Sequence, residues 1–420
     1  MANESMIGKA DVTGLAAGDK VFVNSGSKVR QISLANLNKS LQVLNEYELS
    51  QIAFYTDFNE TGDTVLGQGG NLALADYIFG TGGNYLLNNA GYAAKLNPTD
   101  PTKFSDGATA PLDGSKGHEM TLLPGFHYLV STNPNGKPRF WVSNKNIGGH
   151  YQSPQWIGTH KGYVSSGKLL SRSGVVPTGS LTISQFYTAA QANGSAFGLA
   201  NYTMRKTLAL MFFAKYGTTQ SQGGSILGEG LSGVGSSYDN IRNIATGKAN
   251  SLGDGTGYVP IQDAAGNTVG STSVFGVKDP FGQVWEFCGG VASLDTTFYL
   301  SDDNVTPVDG TPTTWTNMRT IPKLASASGQ YITSMRWGEY ADMLAKSVGG
   351  SSTTYYTDGA WSATAGRVLL FGGIADYGPL CGLVSAAAID AFGVAYASFG
   401  ARLGFYGTAN IVSGTKFLTL

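Results

Sequence analysis

The sequence predicts a protein of the α+β class that is built mainly from short β-strands. Its 420 residues include 59 glycines, and 11% are aromatic, which favours a folded, turn-rich β protein over a disordered chain. Short apolar runs between Gly, Asn, Asp and Pro residues recur along most of the chain. Two segments in the middle have helical spacing instead, and helices among many short strands are typical of the α+β class.

Charge and hydropathy exclude several classes of partner. Only 13% of the residues are charged and the net charge is −1, so the chain lacks the basic surface that nucleic acid or an anionic membrane attracts. No apolar run approaches the roughly 18 residues of a membrane span. The first residues, MANESMIGKADVTG, have neither the basic start nor the apolar core of a secretory signal. We therefore expect synthesis in a cytoplasm, with any extracellular role reached by another route.

Residues 1–50 are predicted to form a first module. Two short strands, Val21–Val23 and Val29–Ile32, flank a turn at Asn24–Ser27. A helix is expected after Ser33 as its N-cap, because leucines follow at a spacing of three and four. These leucines are Leu34, Leu37 and Leu41. The module is too small to fold alone, so we expect it to dock on something else.

Residues 51–112 are predicted to form a second, β-rich linker domain. They are rich in Gly, Asn and Asp, and their short apolar runs fit strands joined by tight turns. The segment NPTDPTKFSDGATAPLDGSKG has three prolines and little apolar content, which is typical of a linker. We expect a domain boundary near residue 112, and a third domain over residues 113–420. Residues 51–115 are expected to lack a core of their own.

The third domain contains the clearest local signals. The segment FHYLVSTNPNGKPRFWVS predicts a hairpin around Asn133–Gly136. The segment TISQFYTAAQANG predicts a helix with a capping box of Thr182 and Gln185 that ends at Asn193–Gly194. A second helix, in NYTMRKTLALMFFAKYGT, is predicted to end at Gly217. The apolar faces of the two helices are Ile183, Phe186, Tyr187 and Ala190, and Met204, Leu208, Met211 and Phe212.

No catalytic constellation is evident in the sequence. Motifs of the GxSxG, P-loop and HExxH types are absent, and the histidines have no metal-ligand spacing. We expect surface or hydrogen-bonding roles for the histidines, which are His118, His127, His150 and His160. Asp239–Asn240 and Asp254 lie in Gly-rich loops whose oxygens suit calcium, although turn chemistry explains them equally well. No cofactor is therefore predicted, with calcium left as the open alternative.

The cysteines and one acidic residue need separate treatment. Cys288 and Cys381 lie far apart, so a disulfide between them stays open, but a single pair is no scaffold. In KDPFGQVWEFCGGV, Trp285, Glu286 and Phe287 alternate as in a strand. Glu286 must then face away from its aromatic neighbours or lie buried with a partner. We interpret this segment as a structural core strand.

The C-terminal region has an unusual residue vocabulary. The 49 residues from Arg367 to Thr415 contain no Glu, Lys, Met, Gln or Trp. A codon of the form NNC encodes none of these five types. Targeted mutation of adenines in AAC codons would leave this signature, with the glycines between as a fixed frame.

The same region resembles a known family. The segment GRVLLFGGIADYGPLCGLVSAAAIDAFGVAYASFGARLGFYG is similar to the C-terminus of variable proteins made by diversity-generating retroelements. The matching parts are a core strand at Val368–Phe371, the pair Gly372–Gly373, a variable segment at 374–399, and GARLGF at 400–405. VWEF resembles the Trp-Glu element that the C-type lectin fold shares with formylglycine-generating enzymes. KLLSRSGVVPTGSLTISQF, MFFAKYGTTQSQ and DNIRNIATG resemble the body of phage-borne relatives.

This resemblance implies a fold and a function. The fold would be a C-type lectin fold of the formylglycine-generating-enzyme-like variant over residues 113–420, preceded by small β-rich N-terminal modules. The function would be host attachment by a phage particle, without catalysis. A variable region at about 374–406 would bind a host cell-surface receptor, protein or glycan, and the N-terminus would contact other virion proteins. The protein would lie on the virion surface as a fibre component, and we expect a homotrimer.

The resemblance also assigns residue roles. The structural residues would be Trp285, Glu286, Gly372, Gly373, Gly400 and Arg402. An exposed, contiguous ligand-binding patch would consist of Ile374, Asp376, Tyr377, Pro379, Leu380, Ser385, Ile389, Phe392, Val394 and Tyr396. Two alternatives remain. An enzyme of the formylglycine-generating or sulfatase-modifying kind would need paired cysteines near the C-terminus, where only Cys381 lies. A cellular display lectin would need an export signal.

Overall fold

The computed structural model describes residues 20–25, 28–33, 46–224 and 226–420. The structure is of the predicted α+β class and consists mostly of strands. The strands before residue 200 are β1 (Lys20–Ser25), β2 (Lys28–Ser33), β3 (Phe54–Asp57), β4 (Gly67–Gly70), β5 (Gly83–Leu87), β6 (Tyr92–Lys95), β7 (His118–Leu123), β8 (Phe126–Thr132), β9 (Pro138–Ser143), β10 (His150–Gln152), β11 (Gln155–Gly158), β12 (Tyr163–Ser165), β13 (Lys168–Leu170) and β14 (Phe197–Leu199).

The remaining strands and the helices complete the described elements. The strands are β15 (Gly257–Gln262), β16 (Thr268–Val274), β17 (Val277–Lys278), β18 (Trp285–Phe287), β19 (Val291–Leu294), β20 (Thr297–Ser301), β21 (Val308–Asp309), β22 (Met318–Pro322), β23 (Ala327–Trp337), β24 (Asp342–Val348), β25 (Gly359–Ser362), β26 (Leu370–Phe371), β27 (Ala386–Ala388), β28 (Phe399–Ala401), β29 (Leu403–Phe405) and β30 (Asn410–Val412). The helices are α1 (Glu46–Ile52), α2 (Ala73–Phe79), α3 (Ile183–Gln191), α4 (Tyr202–Tyr216), α5 (Tyr238–Ile241) and α6 (Gly414–Phe417), with 3₁₀ turns at Asn250–Leu252 and Gly378–Leu380.

Two seven-stranded sheets and one five-stranded sheet form the centre of the fold. The first has the order β14-β29-β11-β7-β5-β6-β30, and the second has the order β24-β23-β25-β27-β26-β18-β28. The five-stranded sheet has the order β10-β8-β9-β3-β4. Strands β3, β5 and β6 precede residue 112, yet they pair with β9, β7 and β30, which follow it. The predicted boundary near residue 112 is therefore wrong as a division between sheets.

The predicted linker is also a packed part of the fold. Bridges join Leu96 to Phe104 and Lys103 to Thr109. Phe104 is fully buried, and its ring centroid lies 5.7 Å from that of Phe417 in α6. The apolar residues of this segment are therefore buried, but in a core that they share with Phe417, 313 positions after Phe104 in the same chain. Local composition cannot report such a contact.

The predicted hairpins are confirmed. Strands β8 and β9 pair antiparallel around Asn133–Gly136. Strands β1 and β2 also pair antiparallel, from Lys20 opposite Ser33 to Ser25 opposite Lys28. The helix expected after Ser33 falls on residues 34–45, which lie outside the described residues.

The two predicted helices of the third domain are confirmed, but one is more buried than expected. Helix α3 begins with the capping box of Thr182 and Gln185. Helix α4 ends at Gly217, which adopts the left-handed conformation with φ +60°. Helix α4 is buried from Tyr202 to Ala214 rather than on one face, because it contacts β3, β7, β11 and β24 and so packs against all three large sheets. Two of its charged residues, Arg205 and Lys206, are therefore buried. Among the described residues, no helix is long and apolar enough to cross a membrane.

Candidate functional site

The C-terminal motifs meet in the second seven-stranded sheet. Strand β18, which carries Trp285 and Glu286, pairs antiparallel with β26 and parallel with β28. This register places Glu286 opposite Phe371 on one side and Gly400 on the other. Segments that are more than 80 residues apart in the chain are thus neighbours in one sheet. The variable-looking segment leaves the sheet after β26, re-enters it at β27, and ends at β28.

Arg402 lies where the chain passes from one central sheet to the other, between β28 and β29. Its Nε donates to Glu286 Oε2 at 2.8 Å, and its Nη2 donates to Glu286 Oε1 at 3.0 Å. The remaining donors reach four backbone carbonyls at 2.9–3.1 Å, those of Gly158, Thr159, Lys278 and Asp279. Arg402 therefore ties both sheets to Glu286 through one bidentate pair and a set of backbone hydrogen bonds.

Two further cations complete a buried ion cluster, which we define as Lys161, Arg205, Glu286 and Arg402. Lys161 Nζ donates to Glu286 Oε1 at 2.7 Å, and Arg205 Nη2 donates to Glu286 Oε2. Burial alone would raise the pKa of Glu286, but Arg205, Arg402 and Lys161 hold it well below its ordinary value. Burial lowers the pKa of Lys161 to about 8. Glu286 is thus buried with partners, which is one of the two arrangements that the sequence left open, and the structural role of Glu286 and Arg402 stays a prediction.

The pair Gly372–Gly373 turns the chain out of β26. Both glycines have positive φ, at +93° and +82°. A Cβ on Gly373 would lie 2.5 Å from Cys381 Sγ, so only glycine fits against this side chain. Cys381 is fully buried, and its Sγ donates to the carbonyl of Ile374 at 3.0 Å. The turn at Gly372–Gly373 and the Cys381 side chain therefore pack tightly against each other.

Both cysteines are free and buried, so the open disulfide between them does not form. Burial raises the pKa of the Cys288 and Cys381 thiols. A nucleophilic cysteine needs the opposite shift, because the thiolate is the reactive form.

Two residues of the predicted ligand-binding patch are buried, which is a correction. Ser385 has no exposed surface, and its carbonyl accepts the backbone N–H of Gly372 at 2.9 Å. Ile374 packs in the core cluster that contains Trp285 and Trp361. The reason is strand β27, which inserts between β25 and β26 and draws the middle of the segment into the sheet.

The other eight patch residues lie at the surface to different degrees. Asp376, Pro379 and Tyr396 are exposed, and Tyr396 is 53% exposed. The half-buried residues are Tyr377, Leu380, Ile389, Phe392 and Val394. The segment 374–398 is thus a surface loop with a buried strand in its middle, rather than one continuous exposed patch.

This surface contains a pocket of about 170 Å³, which we call the aromatic pocket. The ring of Tyr377 stacks on that of Trp361, with 4.7 Å between the ring centroids. Trp285 packs edge-on against Trp361, with 5.4 Å between the centroids. Tyr396 packs edge-on against Phe399 at 5.1 Å. The full lining is Trp285, Trp361, Ile374, Tyr377, Ala387, Ile389, Asp390, Tyr396, Ser398 and Phe399.

Sequence reasoning missed Trp361, Asp390 and Phe399 as parts of this pocket. Trp361 lies outside the C-terminal window, and only the pairing of β25 with β27, which sets Trp361 opposite Ala387, brings it to the site. Asp390 could have been noticed as one of the few charged residues in the segment. Burial raises the pKa of its carboxyl, while Arg367 lowers it. The pocket therefore combines aromatic rings with a carboxyl group at its wall.

The histidines and the candidate calcium ligands lie apart from this site. His118 Nε2 lies 3.0 Å from Asn89 Oδ1, and His160 Nε2 lies 3.0 Å from Glu119 Oε2. Asp239 faces Arg242 at 3.3 Å. Asp254 accepts the backbone N–H of Asn84 at 2.7 Å. Within the described part of the chain, no group of three or more His, Cys, Asp or Glu side chains is placed to hold a metal ion.

Comparisons with known proteins give one consistent similarity. No protein-family model and no curated protein matches the sequence. Among solved structures, the chain is similar to the Major Tropism Determinant M1 variant, with 12% identity and a TM-score of 0.31 over 92% of this chain and 91% of that chain. The P3c variant has 15% identity and a TM-score of 0.30 over 92% and 91% of the chains. The U1 variant has 12% identity and a TM-score of 0.31 over 92% of each chain. These TM-scores are too low to identify a shared fold. A function for this chain must therefore be inferred from its own residues.

Proposed function

We propose that the chain is a receptor-binding protein of a phage particle, and that the surface around the aromatic pocket binds a molecule on the host cell. One observation carries this proposal. The predicted variable segment begins next to β26 at Gly372–Gly373 and ends at Gly400 in β28, and both of these strands pair with β18, whose Glu286 belongs to the buried ion cluster. Side chains on such a surface can be exchanged while the fold underneath keeps its geometry.

The buried positions narrow the proposed variable region. The predicted variable region covers about residues 374–406, but Cys381 to Ala388 and Phe399 to Phe405 are buried in the sheets. Substitution there would leave cavities or overpack the core. We therefore propose that retroelement-driven variation is tolerated mainly at the exposed and half-buried positions between Asp376 and Leu380 and between Ile389 and Ser398.

The finer fold and assembly remain part of the proposal. Residues 113–420 would adopt a C-type lectin fold of the formylglycine-generating-enzyme-like variant, with residues 51–112 packed onto it. Residues 1–50 would attach the chain to other virion proteins. The homotrimer rests on the small N-terminal module alone, since residues 51–115 do share a core. Light scattering that gives a stable monomer at micromolar concentration would remove it.

The alternatives have less support. An enzyme that uses cysteine chemistry would need a reactive thiolate, whereas both thiols are buried with raised pKa values. A cellular display lectin would need a route of export. Calcium binding at Asp239 or Asp254 has less support because each carboxylate already has a protein partner. It stays an untested alternative.

The test is competition for adsorption. Purified chain should block attachment of the phage particle that carries it to the strain on which that phage grows. The variant Tyr396→Ala should block less well, whereas Tyr77→Ala should block normally, because Tyr77 is 63% exposed but lies in α2, away from the pocket. Equal blocking by all three proteins would contradict the assignment of the surface.

A separate observation tests the source of variation. The DNA beside the gene should contain a near-copy of the coding region for residues 374–406, with adenines at the varied positions, next to a reverse transcriptase gene. Its absence would remove the retroelement from the proposal and leave the receptor-binding surface to the adsorption assay.

A further inference from the structure

A second, larger cavity is lined by framework elements and by no residue of segment 374–398. We call it the framework cleft, and its volume is about 850 Å³. Its walls come from the β10–β11 region, the start of α4, the β20–β22 region and the chain after β29. Ligand-binding pockets for small molecules have volumes of roughly 300–1,000 Å³. The framework cleft is therefore large enough for one or two sugar rings.

Lys206 brings a buried cation into the wall of the cleft. Its side chain is 4% exposed, because α4 is buried between the sheets. Its Nζ donates to the carbonyl of Tyr340 at 2.7 Å, and among the described residues it makes no ion pair. An ammonium group has three donors, so two of them are left for a ligand. Asp342 and Asp302 favour the charged ammonium group, but burial outweighs them and lowers the pKa of Lys206 to about 8. An anionic ligand at Nζ would stabilise this charge further.

Arg319 adds a second set of free donors in the same cleft. Its Nη1 lies 2.7 Å from the Asp342 carboxylate, which holds the guanidinium in place. Its Nη2 is buried and has no hydrogen-bond partner in the described structure. Buried donors are nearly always satisfied in native proteins. Lys206 and Arg319 therefore leave donors for an anionic group at the cleft.

Hydrogen-bond acceptors also remain unused here. Gln155 Oε1 is buried without a partner. Asp302 accepts the Thr203 hydroxyl with Oδ1, while its Oδ2 takes no hydrogen bond within the described residues. A ligand that satisfies these acceptors must carry hydroxyl or amide donors as well as its negative charge. Inorganic phosphate satisfies the cations but leaves the acceptors without donors, and its second charge is repelled by Asp302.

Exposed aromatic rings complete the lining. Tyr151 is 56% exposed and Tyr340 is 37% exposed, although both residues line the cleft. Each ring already packs against one histidine, Tyr151 against His127 at 4.8 Å and Tyr340 against His150 at 4.6 Å. Such rings present a flat apolar face beside a polar hydroxyl, which suits the mixed C–H and O–H surface of a sugar.

We infer that the framework cleft binds an acidic saccharide. The sugar carboxylate lies between Lys206 and Arg319, its hydroxyls donate to Gln155 and Asp302, and its ring packs on the exposed tyrosines. The same chemistry occurs in a free uronic acid and in an acidic residue of a cell-surface polysaccharide. This site is independent of the aromatic pocket, because the two have no lining residue in common.

The experiment uses the full chain and isothermal titration calorimetry. The probes are methyl β-D-glucuronide, its neutral isostere methyl β-D-glucoside, and inorganic phosphate. The glucuronide should bind at least about tenfold more tightly than the glucoside, because hydrogen bonds to charged groups contribute most of the difference. A longer acidic oligosaccharide of the same sugar distinguishes the two sources, since a polysaccharide site binds it more tightly than the single sugar.

Variants separate the predicted contacts from general effects. Lys206→Met should weaken glucuronide binding about 10- to 100-fold, and Tyr151→Ala should weaken both sugars without affecting the fold. Lys346→Met is the matched control, because Lys346 is exposed and does not line the cleft. If Lys206→Met does not fold, Asp302→Asn at the exposed rim gives the second test, with weaker binding of the uncharged glucoside expected because the acceptor for its hydroxyls is weaker.

Three results would overturn the inference. Equal binding of glucuronide and glucoside removes the recognition of the carboxylate. Phosphate that displaces the glucuronide and binds as tightly makes the cleft a simple anion site. No binding of any probe rejects a saccharide site of this class. None of these outcomes affects adsorption through the aromatic pocket, which Tyr396→Ala reports independently.

Discussion

The buried ion cluster and the surface of segment 374–398 are attached to the same strands but differ in how their side chains are satisfied. Glu286 is 1% exposed and Arg402 is fully buried, and the Glu286 carboxylate accepts from three cationic side chains. Tyr396, by contrast, is 53% exposed. Charges that depend on one another cannot be exchanged singly, whereas exposed side chains can. The difference shows how one chain can combine a fixed frame with a changeable surface.

The division between frame and surface lies inside the segment rather than at its ends. Asp358 is fully buried, and it accepts the backbone N–H of Val384 at 2.8 Å and the Ser221 hydroxyl at 2.9 Å. This hydrogen bond to Val384 fixes the buried middle of the segment to the residues beneath it. Burial raises the pKa of Asp358 well above its ordinary value. The middle of the segment therefore belongs to the frame, and the surface consists of the stretches on either side.

The largest expected effect is on the ion cluster. Replacing Glu286 with Ala leaves three buried cations without their counter-charge, so the free energy of unfolding should fall by about 3–5 kcal/mol. Arg402→Ala should cost a similar amount. Urea unfolding measures both, with Glu339→Ala as the control, since Glu339 is 69% exposed. Unchanged stability in both cluster variants would show that these charges are solvated.

A second test concerns a buried base of the frame. Burial lowers the pKa of His118 from 6.5 to about 4, and Lys168 adds to this shift. The unfolded chain therefore binds a proton at higher pH than the folded chain does. The contribution of neutral His118 to the free energy of unfolding is fully present above pH 6.5. It should be lost, by roughly 3 kcal/mol, as the pH drops to 4. In His118→Gln this part of the pH dependence should vanish, and an identical pH profile would contradict it.

Two glycines of the segment sharpen the comparison, because their surroundings differ. A Cβ on Gly382 would overlap the Asp358 carboxylate, whereas a Cβ on Gly393 would meet nothing within 4 Å. Gly382→Ala should cost roughly 1–3 kcal/mol through overpacking. Gly393→Ala should change stability by no more than about 0.5 kcal/mol. Equal thermal stability of the two variants would place Gly382 at the surface as well.

The smallest effect on stability is expected at the exposed surface. Tyr396→Ala should leave the free energy of unfolding within about 0.5 kcal/mol of the parent. Binding to the host cell should weaken by about 2 kcal/mol or more, as expected for an aromatic anchor of an interface. Parallel melting and adsorption measurements separate the two quantities. A large loss of stability would assign Tyr396 to the frame.

Local signals in the sequence predicted local structure well. The hairpin around Asn133–Gly136 and the capping box of Thr182 and Gln185 are present as expected, because turn and cap chemistry depends on residues only a few positions apart. The need for a partner at Glu286 was also predictable, since a charge in an apolar strand must be compensated. Burial with a partner, rather than an orientation away from Trp285 and Phe287, was one of two outcomes that the sequence left open.

Only the tertiary structure decided which residues the frame and the sites contain. Arg205 and Lys206 are adjacent on α4, yet one belongs to the ion cluster and the other to the framework cleft, because the helix packs between three sheets. Ser385 and Ile374 were expected at the surface and are buried, because β27 pairs with strands whose positions the segment itself does not encode. The sequence by itself determined the α+β class, the local elements and the boundaries of the C-terminal segment. Burial within that segment depends on long-range strand pairing, which no local pattern reports.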